Sequence, residues 1–411
     1  MRSEWIMKLI GPLLMQRQKK QRVLKDYIDV DEGLCGIGYI PNNIKKEISA
    51  VVRGRAGSEV LSEDYLREVG VSEDGLKQIL PVIDNFLALS RSVIGDKKPK
   101  SGDPLFPWVQ ALYISPEISV NACVRISSDI KAATVYVIFN AGVFVQLTHR
   151  VSAMLADDGF LKSFGMQSSG AEAKLNPPKN GDWVNTLPLD PRKKEIARQV
   201  AFFGASIILS HELAHFYRGH LGYLRNKLGL SFGTYESFLN DLSDDVAAQD
   251  VIRLLELDAD QAAGTFFSTI FREFDHPTPG PKDGHNERFL FYVMIAITST
   301  YILFEDVAPS RKYYSPSWRI HHVFNGFINN FFSEPPNEED KKELIDMLFK
   351  VIKEVEECYE RLGWGNGFTY GTALPEAEQL INKDSLDLKE LEAEFAEFMP
   401  HLWPKERKHN R

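Results

Sequence analysis

Cysteine is scarce in this chain. Three occur, Cys35, Cys123 and Cys358, far apart and without a C-x-x-C pair. That excludes a disulfide framework and a cysteine-built zinc knuckle, and it fits reduced thiols in a cytoplasmic protein. Basic stripes are lacking too. The formal net charge is -9 and the isoelectric point about 5.7, so nucleic acid is not expected as a partner. A phosphate-binding loop is also missing. The glycine-rich stretch Gly363 to Gly371 (GWGNGFTYG) has no Lys-Ser/Thr after it and no strand before it, and reads as a turn between helices.

Long hydrophobic runs are short of what a membrane asks for. Phe289 to Phe304 (FLFYVMIAITSTYILF) is apolar apart from small hydroxyls, and Arg288, Glu305 and Asp306 bracket it. A membrane span needs about 20 such residues, so a buried core helix is expected. The first fifteen residues make a poor signal peptide, because Glu4 and Lys8 interrupt them and no small-residue cleavage site follows. With the basic residues Arg17, Lys19, Lys20, Arg22 and Lys25 they would suit an amphipathic membrane anchor. A docking helix with a solvated face is the simpler reading.

What is present is an ordinary globular composition over 411 residues, 44% hydrophobic and 26% charged, enough for a sizeable core. Three regions are expected: an N-terminal helical region over 1–96, a central domain over 105–335, and an acidic helical region over 336–411. The Pro- and Lys-rich segment Lys97 to Pro107 marks the first boundary. Ser62 and Ser72 look like N-caps. Ser119–Ile126 and Thr134–Phe139 read as strands, and Asn140 as the cap of a helix to about Met154. A polar loop, Gly165 to Pro191, precedes a long helix from Lys193 to about Asn226. Further helices run from about Ser243 to Phe274 and from Pro316 to about Phe332, with the break His276 to Asn286 after the first of them.

The chemistry lies in the long helix, at Ser210 to His215 (SHELAH). Positions i and i+4 of a helix share a face, so His211 and His215 can offer imidazole nitrogens to one Zn²⁺. Glu212 stands beside the first ligand and can act on water without ligating. Composition alone would give such a match in about one chain in fifty. A catalytic zinc needs a third protein ligand and an open position. The next helix carries Glu256-Leu257-Asp258-Ala259-Asp260. Glu256 and Asp260 share a face there. Glu256 is the candidate ligand, and Asp260 the acceptor for the outer N–H of a ligand histidine. Asp258 points elsewhere. His220 lies one turn past His215, off the metal face, and reads as structural. His321 and His322 follow Arg319 in sequence and carry no strong claim on the site.

H-E-L-A-H followed by E-x-x-A-D resembles the gluzincin metallopeptidases, above all the M48-like branch, and most nearly the soluble phage-exclusion (Lit-type) peptidases. His220 matches a common histidine after the zinc motif there, and Ser315 to Ile320 (SPSWRI) is similar to an H-P-x-x-x-R-I segment, with Ser315 in place of its histidine. The likeness covers about Ile118 to Phe332. It implies a mainly α (α+β) fold, a zincin-like helical core with a small antiparallel sheet at the cleft. It also implies that an edge strand, Thr134 to Phe139, takes the substrate as an added strand. The expected activity is zinc-dependent endopeptidase cleavage of a protein or peptide substrate, with Glu212 as general base and Arg319 as a candidate oxyanion or substrate contact. The expected substrate is an intracellular protein cut at few sites. Two rivals remain: a non-catalytic zinc-stapled interaction protein, and a membrane-tethered peptidase of the same kind.

Overall fold

Two long helices packed on one another, one of them also against a small sheet, organise the described residues. The computed structural model describes residues 35–38, 73–94, 109–115, 120–126, 135–160, 162, 187–227, 246–274, 284–307, 315–332, 336–364, 387–395 and 398. The Met1 to Lys25 segment, the caps Ser62 and Ser72, and most of the Gly165 to Pro191 loop, the break after Phe274 and the glycine-rich turn lie outside these residues.

The described elements run β1 (Cys35–Gly38), α1 (Glu73–Ile94), β2 (Val109–Ser115), β3 (Ala122–Ile126), β4 (Val135–Asn140), α2 (Ala141–Ala156), α3 (Pro191–Tyr217), α4 (His220–Lys227), α5 (Val246–Phe274), α6 (Gly284–Val307), α7 (Pro316–Phe331) and α8 (Glu338–Arg361). A further short helix, α9, spans 387–395. The described residues are mostly helical, as expected.

Asp190 starts α3. Its carboxylate accepts from the Arg192 N–H at 2.8 Å, and Pro191 occupies the first turn, where no N–H is needed. From Gln199 to Phe216 every residue of α3 is buried. A helix apolar on all sides must be enclosed on all sides, and α1, α2, α5 and α6 pack around it. α6 contains the apolar run Phe289 to Phe304. Leu290, Val293, Met294, Ile297 and Leu303 are fully or almost fully buried, and no helix among the described residues is long and apolar enough to cross a membrane. α8, which opens the acidic C-terminal region, buries Leu348, Val351 and Val355 in the same core.

The sheet departs from expectation in two ways. Its order is β1-β2-β4-β3, and β2 pairs with β4 in parallel, whereas β1–β2 and β3–β4 are antiparallel. The sheet is therefore mixed, not antiparallel throughout. The segment expected to be an edge strand, Thr134 to Phe139, is instead an inner strand: β4 is paired on both sides and all six of its residues are buried. The physical reason is β2, a strand with no clear alternation that the sequence reading passed over. The edge beside α3 belongs to β3 among the described residues. Asn140 N–H donates to Asn121 O at 2.9 Å. This fixes the phase of the ladder, so that residues 122, 124 and 126 turn their backbone groups away from β4.

α5 and α7 make the closest helix pair. A Cβ on Gly264 would fall on the carbonyl oxygen of Val323, and one on Gly326 on the carbonyl oxygen of Gln261. Only glycine lets the two backbones touch here. Gly264 lies four and eight residues after Asp260 and Glu256, on the same helical face, and Gly326 lies seven after Arg319. The close crossing is therefore what brings Arg319 to the acidic face of α5.

Candidate metal centre

The i, i+4 spacing in α3 puts the two ligand rings edge to face, with centroids 4.7 Å apart. Their Nε2 atoms are 3.1 Å apart. Glu256 comes from α5, with Oε2 3.3 Å from His211 Nε2 and Oε1 3.3 Å from His215 Nε2. All three side chains are buried, and they form the one group among the described residues with ligand atoms converging as a metal site requires. Ligands about 2.0–2.1 Å from a tetrahedral centre stand about 3.3 Å from one another. The donor spacings match that figure, so the three side chains could hold one metal ion.

The charges fit as well. Arg218 holds Asp258 through two bonds, Nε to Oδ2 at 2.7 Å and Nη2 to Oδ1 at 2.8 Å. Glu256 and Asp260 share one guanidinium, Arg319. The two carboxylates are buried, and a cation beside them would be favourably placed. Their charge shows in the titration of His211. Burial alone would lower its pKa, yet Glu256 and Asp260 lift it to about 10. At His215 burial prevails and the pKa falls to about 4. Burial would raise Glu256, but His211, His215 and Arg319 hold it well below the usual carboxylate range.

Each ligand histidine has a polar partner behind it. His211 Nδ1 lies 2.9 Å from Asp260 Oδ1. Asp260 is wholly buried and accepts from Tyr301 Oη at 2.5 Å and from Arg319 Nε at 2.7 Å. Arg319 Nη2 reaches Glu256 Oε2 at 2.9 Å. The Arg319 side chain, the candidate oxyanion contact, is thus directed at the two carboxylates, and its guanidinium lies over the Tyr301 ring.

Behind His215 stands His220, with Nδ1 3.0 Å from His215 Nδ1 and Nε2 2.9 Å from Asp258 Oδ2. One proton arrangement satisfies this row. If His215 keeps Nε2 free for a metal, its Nδ1–H donates to His220 Nδ1, and His220 Nε2–H donates to Asp258. His220 was expected off the metal face, and along one continuous helix it would be. The helix instead ends at Arg218, Gly219 takes a left-handed φ of 86°, and α4 begins at His220. The turn swings the ring back onto His215.

Glu212 lies beside the ligands and is 9% exposed. Its Oε2 accepts the Val124 N–H of edge strand β3 at 2.8 Å. His321 packs against Phe349 and His322 against Trp318, and the charges of Asp260 and Asp258 reach the His322 ring. Tyr301, Arg218 and the Val124 amide were not found by sequence reasoning. Tyr301 lies in a run that reads as plain core, and a backbone amide carries no residue-type signal. No protein-family model, curated protein or solved structure matches the chain.

Proposed function

We propose that the chain is a zinc-dependent endopeptidase of gluzincin type. The observation that carries this reading is the place of Glu212. It is one residue from His211 yet outside the three-donor cluster, and it reaches the outward backbone of an edge strand. His211, His215 and Glu256 would hold the ion, and its buried, negatively charged donor set suits zinc. Zinc bound there would supply Lewis-acid polarisation of the scissile carbonyl and a more acidic water.

The chain's own residues do the rest. A peptide lying along β3 could pair with the outward backbone groups of residues 122 and 126, on either side of the Val124 N–H that Glu212 already holds, which would set the scissile bond near Glu212. Glu212 accepts the proton of the attacking water and delivers it to the leaving nitrogen. Asp260 and the His220–Asp258 pair hold the two imidazoles in the tautomers that ligation needs.

A second reading, a zinc staple without catalysis, has one observation in its favour. The Val124 bond gives Glu212 a structural task, so its presence alone does not demand a base. Glu212→Gln separates the two, because an amide oxygen still accepts from Val124 but takes no proton. A proteome digest should show cleavage products with the wild type and almost none with Glu212→Gln, zinc content being equal. Identical products from both, or none from either, would favour the staple.

A further inference from the structure

The row of contacts behind His215 does not stop at Asp258. Arg218 also donates from Nη2 to Glu392 Oε1 at 2.5 Å, and Glu392 lies on α9, 134 residues beyond Asp258 in the chain. The same helix supplies Phe395, which is wholly buried. Its ring stands edge-on to His220, with centroids 4.8 Å apart, and the Arg218 guanidinium lies 5.5 Å from its centroid. His220 itself is fully buried. Thus His220 and Arg218 are held on one side by Asp258 and on the other by α9.

This packing is separate from the main core. Tyr223, Leu224, Ile252, Leu255, Leu391 and Phe395 form a small cluster of their own, joining α4, α5 and α9. Gly222 completes the seat: a Cβ there would collide with the Phe398 side chain. A small apolar cluster buries little area, so α9 is held less firmly than the helices around α3.

We propose that α9 is a clamp on the metal centre, in which Phe395 and Glu392 fix the His220–Asp258–Arg218 row that orients His215, so that docking of α9 sets how tightly the ion is held. The proposal rests on the metal-site reading above. Phe395, Glu392, Arg218, Asp258 and His220 are positioning residues. None belongs to the donor set, and each acts through the next. The reasoning is geometric. His220 Nδ1 can take the His215 Nδ1–H only while its ring stays in one plane, and Phe395 and Asp258 are the groups that fix that plane. Loss of either lets the His220 ring turn, and His215 then loses its fixed tautomer.

The test is zinc affinity by chelator competition in the full chain, with the visible spectrum of the cobalt-substituted protein as a second readout. Asp258→Asn should weaken zinc by about 10–100-fold, and Phe395→Ala by about tenfold or less. Both should alter the cobalt spectrum, and Phe395→Leu, which keeps the apolar cover, should recover most of the loss. Leu348→Ala, a cavity on α8, which contributes nothing to the row behind His215 or to the α9 cluster, should lower the melting temperature yet leave affinity and spectrum unchanged. Wild-type affinity and spectrum in folded Asp258→Asn and Phe395→Ala would overturn the clamp alone. A wild type that binds zinc but cuts nothing would overturn the peptidase reading and leave the clamp intact. A wild type that binds no zinc would overturn both.

Discussion

Val124 and Glu212 are 88 residues apart in sequence and joined by one hydrogen bond, from the strand amide to the carboxylate at 2.8 Å. The bond ties the sheet edge to the helix that carries both histidines. It makes the residue expected to move protons a structural link as well, and the two roles can be pulled apart.

Glu212→Ala leaves the Val124 N–H without its acceptor in a buried place, which costs about 1–3 kcal/mol. Glu212→Gln keeps an acceptor and should cost less. Thermal or urea unfolding should therefore rank wild type, Gln and Ala in falling stability. Equal loss in Gln and Ala would mean that the carboxylate charge, and not the strand bond, carries the structural role.

Arg319 is the cation that Asp260 and Glu256 share. Arg319→Met leaves two buried carboxylates with less compensation, and removing one partner of a buried pair costs about 3–5 kcal/mol. A divalent ion restores positive charge to the same cluster. The variant should therefore be strongly destabilised in the presence of a chelator, and added zinc should raise its melting temperature more than it raises that of the wild type. An equal rise in both would show that Arg319 and the ion do not share the same carboxylates electrostatically.

His149 offers a pH test away from the metal. Burial, helped by neighbouring Arg150, lowers its pKa to about 4 from the ordinary 6.5. The folded protein thus binds fewer protons here than the unfolded chain. The stabilisation is fully present above pH 6.5 and is lost as pH falls toward 4. The gap corresponds to at most about 3 kcal/mol. Between those pH values the wild type should lose up to that much more stability than His149→Gln, measured by urea unfolding. Parallel pH profiles for the two proteins would contradict a buried neutral imidazole.

What could be read from the sequence was local. His211 and His215 are one turn apart, and Glu256 and Asp260 are one turn apart, so each pair declares its shared face through helical spacing alone. The apolar run of α6 and the Pro316 helix start were legible for the same reason. What could not be read was set by contacts distant in the chain. β2 shows no alternation, and without it the position of β4 inside the sheet cannot be deduced. His220 escaped because a helical projection assumes no break, and Gly219 supplies one. Arg319 meets Asp260 and Glu256 because two glycines on different helices let α5 and α7 touch, a match that no single segment displays.

Zinc content per chain, determined by elemental analysis of wild type and Glu256→Ala purified side by side, tests the central claim most directly. The account predicts one zinc per wild-type chain, and lost or strongly weakened binding in Glu256→Ala with the fold retained. A wild type without zinc after exposure to it, or a variant that keeps wild-type affinity, would contradict the centre formed by His211, His215 and Glu256.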